Sequence, residues 1–173
     1  MIKDNPNFHL SKKYRWIITF ILVLTVIIGY LARMSVSVAF EPISNEMGWN
    51  TSEQGGLGGV LMGIFLVSYG FSNIFLSRYI DSYGPRIMLI FSISIWSIAL
   101  IIGARFGSIY WIFIMSRLLL GIGQGVLYPT ASKLTAQWYP PRERGRANSF
   151  YMSGGPLGVM LAPIIMGPII VNA

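Results

Sequence analysis

The chain has 173 residues, of which 54% are hydrophobic and only 11% are charged, and its mean hydropathy is +0.61. Soluble domains carry about 25% charged residues, so this composition excludes an ordinary soluble protein. The net charge of +7 does not indicate nucleic-acid binding, because the basic residues lie at the ends of apolar runs and not along one face. The chain has no cysteine, which excludes disulfides and thiolate metal sites.

The amino-terminal segment, residues 1–15, is polar and is predicted to be a cytoplasmic tail. Its single histidine, His9, is better explained as a solvated side chain than as a ligand, because a metal site needs several donors. Residues 16–173 form the predicted membrane domain, whose apolar runs approach or exceed the about 18 residues that cross a bilayer. The sequence therefore predicts an all-α, polytopic helix bundle with five spans, at about 16–40, 55–80, 86–104, 109–137 and 147–171.

Basic residues predict the orientation of these spans. Four precede the first span, two flank the loop after the second span, and three follow the fourth span, all on the side of the N-terminus. Positive loops face the cytoplasm, so we expect a multi-pass protein of the cell (inner or plasma) membrane, in contact with its lipid, with a cytoplasmic N-terminus. Five spans would place the C-terminus outside.

Glycine and proline patterns predict how the spans pack. Gly55, Gly59 and Gly63 form one smooth helical face that suits close helix packing. The glycines at 121, 123 and 125 have the spacing of a phosphate-binding loop, but they lie inside an apolar helix and not between a strand and a helix. Close packing against a neighbouring span explains them better. The fifth span is predicted to be broken by its prolines, Pro156, Pro163 and Pro168.

Two arginines lie inside predicted spans. Arg33 is about seven residues from the outer end of the first span and Arg117 about eight from the outer end of the fourth, which places both at a similar depth. Every Asp and Glu falls in a tail or loop, so no acid within a span pairs with either arginine. Snorkelling to the interface or capping of helix carbonyls is the alternative, but an intramembrane arginine favours binding of a carboxylate or phosphate.

Three further polar residues lie on the fourth span. Gln124 and Tyr128 share a helical face with Arg117 and are predicted to line the same cavity, although Gln124 cannot carry a proton. Lys133 lies near the inner end, where snorkelling and a functional role both remain open. The sequence contains no nucleophile–base pair, metal cluster or carboxylate pair, so neither enzyme activity nor a cofactor is expected.

The stretch SRYIDSYGPR, residues 77–86, resembles the loop signature Gly-x-x-x-Asp-Arg-x-Gly-x-Arg of the major facilitator superfamily. Asp81, Gly84 and Arg86 match it, whereas Ser77 and Ser82 replace a glycine and a basic residue. Two stretches resemble the anion:cation symporter branch of that family, which carries organic anions such as sugar acids: YLARMSVSVAFEPI (30–43) resembles its first helix and WYPPRERGRA (138–147) its loop after the fourth helix. RLLLGIGQGVLYP (117–129) resembles the superfamily's fourth-helix signature, and SGGPLGVMLAP (153–163) is similar to the glycine- and proline-rich fifth helix.

The resemblance implies the N-terminal part, about five of twelve helices, of a secondary transporter that moves a small organic anion by alternating access. The anion would be a sugar acid, a carboxylate or an organic phosphate. The first and fourth helices would line the central cavity, which makes Arg33, Arg117, Gln124 and Tyr128 the implied substrate-binding residues. A missing C-terminal half would supply the opposite wall.

The same resemblance implies a cytoplasmic gate that contains Asp81, Gly84 and Arg86. Proton-coupled members often carry an acid before the first-helix arginine and another on the fourth helix, where this chain has Ala32 and Gln124. Proton coupling is therefore not expected through these two positions, and a coupling cation, proton or sodium, remains an open partner. The alternative to transport is a non-transporting membrane fragment or an interaction or assembly subunit.

Overall fold

A computed structural model describes residues 12–171, so most of the predicted tail, including His9, and residues 172–173 lie outside the described part. Within it, all regular secondary structure is α-helical, and the predicted fold class is confirmed. The helices are α1 Lys12–Val38, α2 Phe40–Glu46, α3 Thr51–Phe75, α4 Tyr79–Tyr83, α5 Pro85–Phe106, α6 Tyr110–Gly125, α7 Leu127–Trp138, α8 Pro141–Met152 and α9 Gly154–Val171.

Five helical stretches of the described residues are long and apolar enough to cross a membrane. They are Tyr14–Val38, Thr51–Phe75, Pro85–Phe106, Tyr110–Trp138 and Pro141–Ile170. The helix α1 begins at Lys12, so the expected boundary between tail and span lies inside it. We call the end of the bundle at which α1 begins the near end, and the opposite end, with residues 39–50 and 107–109, the far end.

The segment that follows the fourth span differs from its prediction. Its arginines at 142, 144 and 146 were expected in a loop, but they lie in the first turns of α8, which begins at Pro141. Proline suits this first helical position because its missing N–H has no partner there anyway. The break in the fifth span falls between α8 and α9, at Ser153, and α9 runs through Pro163 and Pro168 without ending.

The fourth span is divided into α6 and α7 by a local distortion. Pro129 has no N–H, so the carbonyl of Gly125 lacks its usual helical donor. The Nδ2 of Asn73 donates a hydrogen bond to that carbonyl at 3.0 Å, and the hydroxyls of Ser72 and Ser92 donate to neighbouring carbonyls of the same turn at 2.7 and 2.6 Å. Side chains of α3 and α5 thus satisfy the backbone groups that lipid cannot.

The glycine run of α6 packs against two helices, as predicted. A Cβ at Gly121 would lie 2.6 Å from the carbonyl oxygen of Phe65 on α3, and one at Gly125 would lie 2.5 Å from a carbonyl oxygen of the same helix. A Cβ at Gly123 would lie 3.0 Å from the carbonyl oxygen of Ser92 on α5. These contacts hold α6 between α3 and α5, with its interior side chains in the main core of the bundle.

A second close helix pair joins α1 and α9, and here too glycine permits the approach. A Cβ at Gly154 would lie 2.8 Å from the carbonyl oxygen of Val23, and one at Gly158 would lie 2.9 Å from that of Ile27. The glycine face of α3 behaves differently, because no described atom lies within 4 Å of a Cβ at positions 55, 59 or 63. The packing expected for that face is not made by the described residues.

Candidate functional site

Arg33, on α1, lies among three aromatic side chains that we call the aromatic cage. The carbon at the centre of its guanidinium group is 4.7, 4.8 and 4.9 Å from the ring centres of Tyr30, Phe65 and Tyr69. A desolvated cation–π contact contributes about 2 kcal/mol or more, but the rings carry no negative charge that would form an ion pair with Arg33. The cage therefore holds the guanidinium group in place and leaves its charge uncompensated.

Gln124 links α6 to Arg33. Its Oε1 accepts a hydrogen bond from Nη2 of Arg33 at 3.3 Å, and its Nε2 donates to the carbonyl oxygen of Gly29 at 2.9 Å. The side chain is buried, so both ends of the amide are satisfied within the protein. Because the amide is neutral, Gln124 orients Arg33 without cancelling its charge.

Tyr128 lies one turn beyond Gln124 and reaches the aromatic cage indirectly. Its hydroxyl donates a hydrogen bond to the hydroxyl of Tyr30 at 3.4 Å, and its ring lies 6.4 Å from that of Tyr151. The sequence placed Tyr128 in the same cavity as Arg117, whereas its described contacts are with Tyr30 and Tyr151.

Arg117 is the most buried charged side chain among the described residues, with 8% of its surface exposed. Its guanidinium carbon lies 4.7 Å from the ring centre of Phe113, and its Nε has no hydrogen-bond acceptor. The Nε of Arg33 also lacks an acceptor. Neither arginine takes part in the ion pairs formed within residues 14–170. An unpaired charge at this depth is unfavourable by several kcal/mol, so the pair suits an anion.

The two arginines border one cavity. It measures about 180 Å³, lies between α1, α3 and α6, and is otherwise mainly apolar, with Met34, Leu61 and Phe65 in its lining. Arg117 also borders a second cavity of about 410 Å³ that opens toward the far end and has Glu46 in its lining. The structure thus brings Arg33 and Arg117, on helices that are distant in sequence, to one cavity, and Gln124 is linked to them through its hydrogen bond with Arg33.

The residues of the loop signature lie at the near end, around the turn between α4 and α5. Asp81 forms an ion pair with Lys133 of α7, and the guanidinium carbon of Arg86 lies 5.7 Å from a ring centre of Trp138. Gly84 has φ = +82°, a conformation that favours glycine. The structure therefore gives Lys133, for which the sequence left two readings open, a partner in the protein.

A second polar cluster at the near end was not found from the sequence. Arg15 forms an ion pair with Glu143 at 3.2 Å and lies 5.8 Å from the ring centre of Tyr139, whose hydroxyl is 2.7 Å from that of Thr19. These contacts join α1 to the segment that begins α8. The one available signal was Glu143, an acid among three arginines, but its partner is 128 residues away.

The membrane-spanning helices and the arginines held between them define a polytopic helical membrane protein with an intramembrane polar site. The model of the family described as Major Facilitator Superfamily matches residues 22–173. The chain belongs to that family, as the resemblance of its loop signature indicated.

Similar proteins include relatives from plants and bacteria. The chain is 30% identical over 167 residues to the protein named "Probable anion transporter 4, chloroplastic" of Arabidopsis thaliana, covering 93% of this chain and 31% of that one. It is 32% identical over 161 residues to a probable sulfoacetate transporter of Cupriavidus necator (93% and 36% covered) and 30% identical over 148 residues to a probable L-galactonate transporter of Escherichia coli (84% and 31% covered).

A solved structure has the same fold. It is the crystal structure of a bacterial homolog to the human lysosomal transporter Spinster, in an inward-facing and unoccupied conformation, with a TM-score of 0.80. The match covers 88% of this chain and 31% of that chain, at 23% sequence identity, so it supports the fold alone. The chain spans about a third of the length of the curated relatives that it matches.

Proposed function

We propose that this chain is the N-terminal part of a secondary transporter that binds a small organic anion (a sugar acid, carboxylate or organic phosphate) and moves it by alternating access. One observation carries the proposal. Arg33 and Arg117 border the same intramembrane cavity, and neither is paired with an acid of residues 14–170. The names of the relatives support the substrate class, since sulfoacetate and L-galactonate are both organic anions.

The residues of the site have different roles in this proposal. Arg33 and Arg117 donate hydrogen bonds to the oxygens of the anion, for which the guanidinium fork is well suited. Gln124 sets the orientation of Arg33, and Tyr128 braces Tyr30 in the aromatic cage. Gln124 cannot exchange a proton, so a coupled proton would be carried by another group.

We further propose that the near end faces the cytoplasm of a cell that carries the protein in its inner or plasma membrane. The arginines of α8, together with Arg78 just before α4 and Arg86 in the first turn of α5, support this orientation. Asp81, Gly84 and Arg86 then form a cytoplasmic gate. The contacts of Asp81 with Lys133 and of Arg86 with Trp138 support this role, because they connect the gate residues to α7, the second helix of the fourth span.

The test is anion uptake by cells that express the full reading frame containing this chain, after a thermal-shift screen against sugar acids, sugar phosphates and dicarboxylates. Arg33→Gln and Arg117→Gln should each lower uptake of the identified anion by about tenfold or more, since each removes charge-assisted hydrogen bonds. Arg105→Gln is the matched control, because Arg105 is exposed at the end of α5. It should leave uptake unchanged.

Normal uptake by both arginine variants would show that the anion binds elsewhere. If the native protein takes up no anion from any of the three classes but retains a second polypeptide on purification, the chain is an assembly subunit and the transport proposal is wrong. Liposomes that contain residues 1–173 alone should show no uptake, because half of the cavity is missing.

A further inference from the structure

Most cations at the near end are engaged by groups of the protein itself. The described contacts are those of Arg15 with Glu143, Lys133 with Asp81, Arg78 with the carbonyl of Phe75, Arg144 with the carbonyl of Tyr139, and Arg86 with the ring of Trp138. Arg142 and Arg146 differ. Both are exposed, and within residues 14–170 neither has a hydrogen bond, an ion pair or a ring contact.

The positions of these two arginines make their charges unfavourable. They are four residues apart on α8, so they lie on the same face and repel each other. Arg142 also lies in the first turn of the helix, where its dipole disfavours a cation. Glu143 relieves them only in part, because its carboxylate is also bonded to Arg15 at 3.2 Å. A bound anion between Arg142 and Arg146 would remove both penalties.

The two arginines border a shallow groove, wide open to solvent and about 650 Å³ in volume, that also includes Ser149, Phe150 and Ser153. The groove changes character along α8. Its beginning is basic, Ser149 adds a hydroxyl, and Phe150 has 46% of its surface exposed. Trp16 of α1 is 43% exposed and packs edge-on against Phe150, with ring centres 5.7 Å apart. Aromatic side chains of this kind lie at the boundary between lipid headgroups and acyl chains.

We propose that this groove binds one anionic phospholipid, with its phosphate between Arg142 and Arg146 and an acyl chain against Phe150. The Ser149 hydroxyl is a further donor to the headgroup. A soluble phosphate would account for the arginines alone, and an acidic protein segment would leave the exposed aromatic pair unexplained. A phospholipid matches both parts in the order in which they occur, from charged to apolar. The site shares no residue with the proposed transport site.

The proposal is tested by native mass spectrometry of the full chain in detergent, titrated with phosphatidylglycerol or phosphatidylcholine. The native chain should bind phosphatidylglycerol more tightly. The double variant Arg142→Gln/Arg146→Gln should lower that affinity by about thirtyfold, because each arginine near an anionic headgroup contributes a factor of about five. Arg105→Gln should change nothing, and Arg142→Lys/Arg146→Lys should keep most of the affinity. Unchanged helical circular dichroism establishes that the variants are folded.

Three results would overturn the proposal. Equal affinity of the native chain and the glutamine double variant for phosphatidylglycerol would show that the arginines do not bind the headgroup. Competition by glycerol phosphate at the concentration at which phosphatidylglycerol binds would identify a soluble phosphate as the ligand. Loss of a co-purifying polypeptide from the double variant, with lipid binding retained, would make the groove a protein interface. Weaker phosphatidylglycerol binding by Phe150→Ser would support the acyl-chain contact.

Discussion

Charged side chains at the near end and in the middle of the bundle differ in whether an acid pairs with them. At the near end, Arg15 and Lys133 are each paired with an acid from another helix. In the middle, Arg33 and Arg117 lie against aromatic rings and have no acid. Paired charges connect helices, whereas an unpaired charge in a span lowers stability, so its presence favours a role in binding. The difference in pairing is the ground on which we propose a binding role for the two mid-membrane arginines.

The largest loss of stability is expected from a substitution that disrupts the helix packing around the mid-membrane arginines. In Gly125→Val the added Cβ would lie 2.5 Å from the carbonyl oxygen of Tyr69, so α3 has to move and Tyr69 leaves Arg33. We expect a loss of about 3 kcal/mol in the free energy of unfolding. Gly59→Val is the matched control, since nothing lies within 4 Å of its Cβ. Equal melting temperatures for the two variants in detergent would show that α3 and α6 are not packed as described.

The next prediction is that replacing an unpaired arginine raises the free energy of unfolding. Arg117→Met removes a charge that is only 8% exposed and fills its place with an apolar chain of similar length. We expect the free energy of unfolding to rise by about 1–2 kcal/mol, while binding of the transported anion is lost. Differential scanning fluorimetry with and without the anion measures both, and exposed Arg105→Met should have no effect. A lower melting temperature for Arg117→Met would mean that this arginine is structural.

The smallest change in the free energy of unfolding is expected at the near end, where removing an acid should lower it, in contrast to the rise expected for Arg117→Met. Glu143→Gln leaves the side chain of Arg15, which is 11% exposed, without its acid, but Glu143 itself is 43% exposed and its charge is screened by water. The free energy of unfolding should therefore fall by only about 1 kcal/mol. Asp81→Asn should cost less, because that carboxylate is 73% exposed. Melting curves at low and high salt test this order. A stabilising Glu143→Gln would contradict the structural role of the pair.

Some features of the fold were not predictable from the sequence. The proline rule suggested breaks in the fifth span at Pro156, Pro163 and Pro168, but α9 contains all three prolines, and the break lies before it, at Ser153. The arginines of α8 were expected in a loop, because charge and Pro-Pro resemble a helix stop. Proline interrupts a helix only where its neighbours cannot satisfy the freed carbonyl, and the sequence does not show those neighbours.

The site was predictable in part. The sequence placed Arg33 and Arg117 inside spans and at a similar depth, because depth follows from counting residues along a helix. It did not predict that Gln124 bonds Arg33, that the Tyr128 hydroxyl contacts that of Tyr30, or that Arg117 borders a second cavity. Those facts depend on the rotation of each helix about its axis, which helix packing determines, including the glycine contacts of α6 and α9.

The sequence by itself determined that this protein is an all-α membrane protein of the major facilitator superfamily, because hydrophobic length and a local loop signature need no partner to be recognised. Only the tertiary structure decided which charges are paired. Arg15 meets Glu143 across 128 positions of the chain, and Lys133 meets Asp81 between two different helices. In a bilayer, the hydropathy pattern indicates how deep a residue lies, but helix packing decides which other residues its side chain contacts.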